Sequence, residues 1–458
     1  MVRTRIAPSP TGDPHIGTAY SALFNFALAR KSKGKFILRI EDTDQTRLVP
    51  EAEDKIIESL KWLGLSWDEG PYRQSERLNF YQRAAQVLVE KGSAYRCNCS
   101  IERLEKLRGE QQAGGEVPRY DGKCRDNPPK TGPFVVRLKV PKEGETSFED
   151  IIRGKITFQN KDIDDAVLLK SDGWPTYHLA VVVDDLDMKI SHVIRAEEWL
   201  SSTPKHILLY EALGKKPPLF AHLPLLRNPD KSKISKRKNP VSLIWYREQG
   251  YLPEAILNYL SLMGWSMPDG REVFSIEDFI KNFDLKRVDP AGPVFDLQKL
   301  DWLNGEWIRS LSDKELTARL KEYTKTGSKH IEAVLPLVHQ RLKKLSEFDK
   351  QTRFFFEAPS IGTESLLCLG NYSEKEINEG VEAAIELFEN SSDWEPKTLE
   401  VKTRKLAEKL NRPAPDLFME LRVAVSGRSV SPPLFETLAV LGKEEVLSRL
   451  KAVVDRLS

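Results

Sequence analysis

The sequence predicts an α/β protein: a parallel sheet with helices, interrupted by an inserted α+β segment and followed by an all-helical last third. Three observations predict this. An apolar strand, a Pro/Gly turn, an apolar helix and a second strand succeed one another over Arg3–Ile40. Loops and β-rich runs break that alternation between Tyr95 and about Asp185, and beyond Asn304 strand signals fade while capped helices take over. At 458 residues the chain exceeds one compact core, and about 150 residues per domain implies about three domains.

In chain order, Arg3–Ala7 reads as a short buried strand and Ala19–Lys31 as a helix with Leu23, Phe26, Ala27 and Arg30 at helical spacing. Lys35–Ile40 reads as a second strand, so the opening is a β-turn-α-β unit whose ligands bind beyond the strands' carboxyl ends. Helices are expected over Pro50–Leu63 and Gln74–Lys91, the latter with Leu78, Tyr81, Ala85 and Leu88 on one face. The interrupting segment contains "GEVPRYDGKCRDNPPKTG" as loop and "FVVRLKV", "KITFQ" and "DAVLLK" as strands. The alternation resumes with a strand at Ile190–Ile194 and a helix at Thr203–Leu213. Farther on, "SDKELTARLKEYTK" and "SEKEINEGVEAAIELFE" each open on a Ser-x-x-Glu capping box ahead of an apolar helical stripe.

Composition bounds the function. Hydrophobic residues make up 40% and charged residues 30%, which is ordinary for a soluble globular protein. No window reaches the ~18 continuous apolar residues of a membrane span, and MVRTRIAP lacks the apolar core of a signal peptide, so a cytoplasmic protein with no membrane partner is expected. Seventy basic against 68 acidic residues leave a net charge of +2, which excludes a globally basic nucleic-acid binder but permits a local basic stripe. Of the four cysteines, Cys97, Cys99 and Cys124 are clustered, which suits a metal site or reduced thiols better than a secreted disulfide framework. Cys368, in "LLCLG", reads as a buried apolar residue.

Two stretches carry chemistry. Pro10–Gly17 joins a strand to a helix N-terminus, whose unpaired N–H groups and positive dipole end suit phosphate. Gly12 and Gly17 let a ligand lie against the backbone, Ser9 supplies a hydroxyl and His15 a donor; a purely structural helix entry accounts for the Pro/Gly content equally well. No Gly-Lys-Ser/Thr follows, so this is not a Walker A loop. The second stretch, "LLRNPDKSKISKRKNP", places Lys231, Lys233, Lys236, Arg237 and Lys238 in a loop bounded by Pro229 and Pro240. Such charge runs are usually solvated, yet a basic loop is also what transfer at phosphorus requires, because that chemistry is mostly positioning and charge neutralisation.

Together the two stretches identify a resemblance. "PHIGT" is similar to the HIGH signature and "KISKR" to the KMSKS signature of class I aminoacyl-tRNA synthetases. "RIAPSPTGDPHIGT", "RIEDTD", "PTYHLA", "VIRAEEWLSSTPKH", "LLRNPDKSKISKRK", "GPVFDLQKLDWLNG" and "SPPLFETLAVLGKEEVLSRL", in that order, resemble the bacterial glutamyl-tRNA synthetase family nearly end to end. The resemblance implies a class I Rossmann-like catalytic domain in two halves, 1–93 and 187–228, split by an acceptor-stem-binding insertion, 94–186. The KISKR loop and a stem-contact domain follow over 229–310, then a helical anticodon-binding region over 311–458. Glutaminyl enzymes of bacteria and eukaryotes end instead in β-barrels, so the capping boxes speak against glutamine as substrate.

The resemblance also implies partners and roles. Substrates are ATP with Mg2+, L-glutamate and tRNA(Glu), and the expected state is a monomer. His15, Lys233 and Lys236 are the expected catalytic residues, stabilising the phosphorus transition state and the departing pyrophosphate. Ser9, Gly17, Glu198, Trp199, Leu226 and Lys236 are expected at ATP. Arg5, Ser9, Glu41, Tyr177 and Arg195 are expected at glutamate, with Glu41 taking the α-amino group and the arginines the carboxylates. Free glutamate carries charges of both signs, so a site for it needs an anion and a guanidinium fork. An isolated Arg or Glu is by default a surface ion pair; here the joint pattern outweighs that. Val181 stands where some members carry Asn, so one substrate hydrogen bond is lost or supplied by water. Cys97, Cys99, Cys124 and Asp126 match the structural zinc site of some members, with Tyr120 the rival fourth ligand and free thiols the alternative. "HQRLKKLSEFDKQTR" offers basic residues to tRNA phosphates or to solvent. Charging of tRNA(Gln) with glutamate as well, or a non-catalytic tRNA-binding module, are the rival functions.

Overall fold

The computed structural model describes residues 1–234, 240–359 and 372–457. The expected residues Lys236, Arg237, Lys238 and Cys368 lie outside these. The chain divides into two compact units, 1–247 with 253–300, and 248–252 with 301–458.

In the first unit, β1 (Arg3–Ile6), β2 (Lys35–Ile40) and β3 (Glu69–Arg73) form a parallel sheet in that order. Helix α1 (Ile16–Lys31) crosses between β1 and β2. Ala19, Leu23, Phe24 and Ala27 are wholly buried along it, as are Phe36, Ile37, Leu38 and Ile40 of β2. A strand buried on both faces reads as a continuous apolar run, which is why "FILRI" is legible without alternation. Its exception, Arg39, is also fully buried, and three carboxylates surround it.

A second sheet runs β7 (Gly154–Gln159), β6 (Glu145–Asp150), β10 (Leu219–Leu223), β9 (His192–Ala196). β10 is parallel to both β6 and β9, whereas β6 and β7 form an antiparallel pair. Ser191, just ahead of β9, bonds β1 in both directions: its N–H donates to the Arg3 carbonyl at 2.9 Å, and its hydroxyl accepts from Arg3 N–H at 2.8 Å. The amino ends of β1 and β9 therefore lie side by side. A third, antiparallel sheet, β4 (Ala94–Cys97), β5 (Val135–Leu138) and β8 (Val167–Leu169), sits within the expected insertion. The β6–β7 hairpin, although inside the same segment of sequence, joins the sheet of β9 and β10.

Local differences from the sequence expectation have physical causes. α1 begins at Ile16 rather than Ala19 because His15 serves as its N-cap, a role more often filled by Ser, Thr, Asp or Asn. The strand expected at Ile190–Ile194 forms at His192–Ala196, since Ser191 is spent on β1. β3 was not evident because "EGPYR" carries Gly and Pro, which the edge of a sheet tolerates. Helix α2 (Tyr177–Asp187) contains Val181–Val183, a run that favours strand; burial in the core overrides that local preference. Helix α3 (Thr203–Ala212) completes this core.

Among the described residues of the second unit every regular element is a helix, from Asp313–Leu320 to Lys443–Leu457. Both capping boxes form, with Ser312 and Ser373 accepting from Glu315 N–H and Glu376 N–H. Ile377, Val381, Ala384, Leu417, Leu421, Leu438 and Leu450 close its core.

Candidate active site

The strand ends and the Pro/Gly junction surround a cavity of about 380 Å³. It is lined by Arg5, Ser9, His15, Gly17, Glu41, Tyr177, Arg195, Glu198, Trp199, Leu226 and Lys233. Thus the described residues expected at ATP and glutamate, drawn from stretches more than two hundred positions apart, face one space. Val181 lies in the core of the unit and does not line the cavity.

Backbone pairing brings the two signatures together. Ile16 N–H donates to the Val241 carbonyl at 2.7 Å and Leu243 N–H to the Pro14 carbonyl at 2.9 Å, so the chain leaving the basic loop is strapped to the His15 turn. On the approach to that loop, Ile234 N–H donates to the Leu226 carbonyl at 3.0 Å. His15 Nδ1 accepts from Gly17 N–H at 2.9 Å, which orients the ring beside the helix N-terminus. A Cβ at position 17 would stand 3.1 Å from that nitrogen, so glycine is what lets the imidazole fold back. Lys233 Nζ is paired with the Glu198 carboxylate.

The part of the cavity lined by Arg5, Glu41 and Arg195 is electrostatically dense. Arg39 Nη1 donates to Asp185 at 2.7 Å and Nη2 to Glu41 at 3.0 Å, while Arg5 Nε donates to Asp185 at 3.2 Å. Burial pushes the Glu41 carboxyl above its ordinary value, against the opposing pull of Arg39 and Arg5. Burial acts the same way on Asp185, but there the two guanidiniums prevail and hold it below. Tyr177 Oη accepts from Arg195 Nη1 at 3.0 Å, and its ring packs on Trp199 with centroids 4.3 Å apart. Trp199 is 37% exposed, leaving an aromatic surface at the cavity edge.

Several groups here were not evident in the sequence: Arg39, Asp185, His206, His222 and Thr203. Each acts through a cavity-lining residue rather than lining the cavity itself. The signal for Asp185 was the acid pair ending "VVVDD", apolar on its N-terminal side; for His222 none existed.

The thiols also converge. The sulfur atoms of Cys97, Cys99 and Cys124 all lie within 4.8 Å of one another. Tyr120 Oη stands 3.4 Å from both Cys97 Sγ and Cys99 Sγ and accepts from Cys124 N–H at 2.9 Å. Burial alone would raise the Cys97 thiol; its hydrogen bonds with Tyr120, the Cys99 backbone and Arg137 outweigh it and bring it down to about 7. Three sulfurs and a phenolic oxygen around one point fit tetrahedral zinc. Asp126 is not brought to this cluster. Its exposed carboxylate faces Lys139 and Lys142, at 3.8 and 4.0 Å.

No described helix is long and apolar enough to cross a membrane. The profile of "tRNA synthetases class I (E and Q), catalytic domain" matches residues 1–302, and that of "Anticodon binding domain" matches residues 315–454. The chain is 48% identical to a glutamate–tRNA ligase of Acidothermus cellulolyticus, over 98% of this chain and 95% of that protein. It is 48% identical to a glutamate–tRNA ligase of Thermus thermophilus, over 98% and 99% respectively. A glutamate tRNA ligase of Elizabethkingia meningosepticum, solved in complex with its amino acid, superimposes with a TM-score of 0.89 at 33% identity, covering 100% of both chains. The glutamate-tRNA synthetase of Elizabethkingia anophelis does so with 0.87 at 34%, covering 99% of each. With its fold, cavity and full-length relatives in agreement, the chain belongs to the class I glutamate–tRNA ligase family.

Proposed function

We propose that the protein ligates L-glutamate to tRNA(Glu) at the expense of ATP. A glutamate α-carboxylate oxygen attacks the α-phosphorus of magnesium-bound ATP; the bond from that phosphorus to the bridging oxygen breaks, and pyrophosphate leaves with the electron pair. A terminal ribose hydroxyl of the tRNA then attacks the glutamyl carbonyl, loses its proton and releases AMP. One observation carries this reading: His15, Lys233 and the groups of both signs needed for glutamate line a single cavity at the strand ends.

In this reading His15 and the α1 N-terminus hold the phosphates, and Lys233 with Lys236 neutralises the pyrophosphate as it departs. Lys233 must leave Glu198 to do so. Glu41 takes the α-amino group, Arg5 and Arg195 with Ser9 and Tyr177 take the carboxylates, and Trp199, Glu198, Gly17 and Leu226 frame the nucleotide. Arg5 already shares Asp185, so Arg195 is the arginine with charge to spare for substrate. Cys97, Cys99, Cys124 and Tyr120 hold a structural zinc ion that braces the acceptor-stem segment; Asp126 has no part in it. The segment boundaries at 93, 186, 228 and 310 mark the functional divisions of a cytoplasmic monomer. Charging purified tRNA(Glu) and tRNA(Gln) side by side tests the assignment: glutamylation of tRNA(Glu) alone is expected, equal charging of both would make the enzyme non-discriminating, and charging of neither would overturn it.

A further inference from the structure

Arg195 is 6% exposed, yet no carboxylate of a described residue pairs with it. Its N–H groups go to neutral acceptors. Nε reaches His222 Nε2 at 3.1 Å; Nη1 reaches Tyr177 Oη at 3.0 Å and His206 Nδ1 at 3.3 Å; Nη2 reaches Thr203 Oγ1 at 2.9 Å and the Trp199 carbonyl at 3.3 Å. Arg5 and Arg39, by contrast, share Asp185. A buried guanidinium without a counterion is unfavourable until an anion arrives, so this one is kept charged for a ligand and must be aimed by groups that do not neutralise it.

An imidazole nitrogen accepts a hydrogen bond only while the ring's proton sits on its other nitrogen. For His222 that other nitrogen is Nδ1, and it lies 2.6 Å from Asp150 Oδ2. Both residues are almost wholly inaccessible, at 0% and 3% exposure. Asp150 is itself fixed: Oδ1 accepts from Ile152 N–H and Arg153 N–H at 3.0 Å each, and Oδ2 from His222 N–H at 3.1 Å. The contact exists because β6 lies beside β10 with Asp150 in register with Phe220. The acid therefore stands one imidazole away from Arg195. Placed directly on the guanidinium it would cancel the charge that substrate needs; placed behind His222 it sets the tautomer and leaves that charge intact.

We propose that Asp150 is a positioning residue for amino-acid recognition: it keeps the proton on His222 Nδ1, so that the Nε2 lone pair holds Arg195 toward the substrate carboxylate. The inference rests on the reading that Arg195 binds a glutamate carboxylate.

The test measures the glutamate KM for aminoacylation of tRNA(Glu), with the ATP KM and the melting temperature as controls. In Asp150→Asn, Oδ1 stays with Ile152 and Arg153 and takes over the His222 N–H, 3.4 Å from it, while the amide nitrogen replaces Oδ2. It donates to His222 Nδ1 and drives the ring proton to Nε2, where it opposes the Arg195 donor. The glutamate KM should rise roughly 10- to 100-fold, the weight of a hydrogen bond to a charged group, with the ATP KM little changed. His222→Gln supplies an oxygen acceptor toward Arg195 without needing Asp150, so in that background Asp150→Asn should add nothing. His222→Asn keeps the Asp150 contact but loses the acceptor, and should raise the glutamate KM well above that of His222→Gln even if Asp150→Asn folds poorly. Equal effects of Asp150→Asn in both backgrounds, or equal KM values for the two His222 variants, would overturn the proposal while Arg195→Lys still raises the glutamate KM. An Arg195→Lys enzyme with the wild-type glutamate KM would instead overturn the reading of Arg195, and the inference with it.

Discussion

At the scale of the residue, the site is governed by how charge is shared out. Asp185 serves two arginines from a position where solvent cannot help, and a buried network of this kind is costly to break. Asp185→Asn is expected to destabilise the fold by about 3–5 kcal/mol in urea titration, because Arg5 loses its buried counterion and Arg39 one of three. The pH dependence follows in sign. The folded-state value of Asp185 lies below its ordinary 3.8, so its contribution is fully present above that pH and is lost as the pH falls beneath it. Acid titration of the wild type should show this loss, and the Asn variant should show less of it. The charges proposed to act at phosphorus would behave differently, favouring the transition state more than bound substrate. Lys236→Ala should therefore lower the rate of glutamylation about 100- to 1000-fold while leaving tRNA affinity nearly unchanged, as single-turnover kinetics and filter binding would reveal.

At the scale of the element, the start of α1 links sequence and chemistry most directly. His15 caps the helix through Gly17 N–H and lines the cavity with the same ring. Gly17→Ala would force that imidazole aside by a few tenths of an ångström. We expect the ATP KM to rise several-fold while the glutamate KM stays near wild type, which steady-state kinetics would separate. The helices of the second unit depend on more ordinary devices. Ser373→Ala removes one side of a formed capping box and should cost about 1 kcal/mol, read as a lowered melting temperature, without changing the glutamate KM. Both boxes were legible because they depend on residues three apart. The helical state of "YHLAVVVDDLD" was not, because only packing against the surrounding core outweighs the strand preference of three consecutive valines.

At the scale of the whole molecule, distant segments serve one another. β6, within the segment expected as an insertion, hydrogen-bonds to β10 and delivers Asp150 to His222, behind Arg195. The thiol cluster in the same segment gives a further prediction. Purified protein should carry stoichiometric zinc by elemental analysis; Tyr120→Phe should weaken its retention against a chelator, whereas Asp126→Ala should not. Equal loss of zinc in the two variants would return Asp126 to the ligand set.

By itself the sequence determined the class of the fold, the two signatures and the residue types that a phosphate- and glutamate-binding cavity requires. Those depend on interactions between near neighbours: a strand feeding a helix, a glycine two residues past a histidine, a serine three before a glutamate. Only the tertiary structure decided which charges pair with a carboxylate and which meet neutral groups. Arg5, Arg39 and Arg195 look alike as letters, and what distinguishes them is that Asp185 reaches the first two while imidazoles meet the third. Those encounters are fixed by sheet register and helix packing across long stretches of chain, where no local pattern records which side chain will lie opposite another.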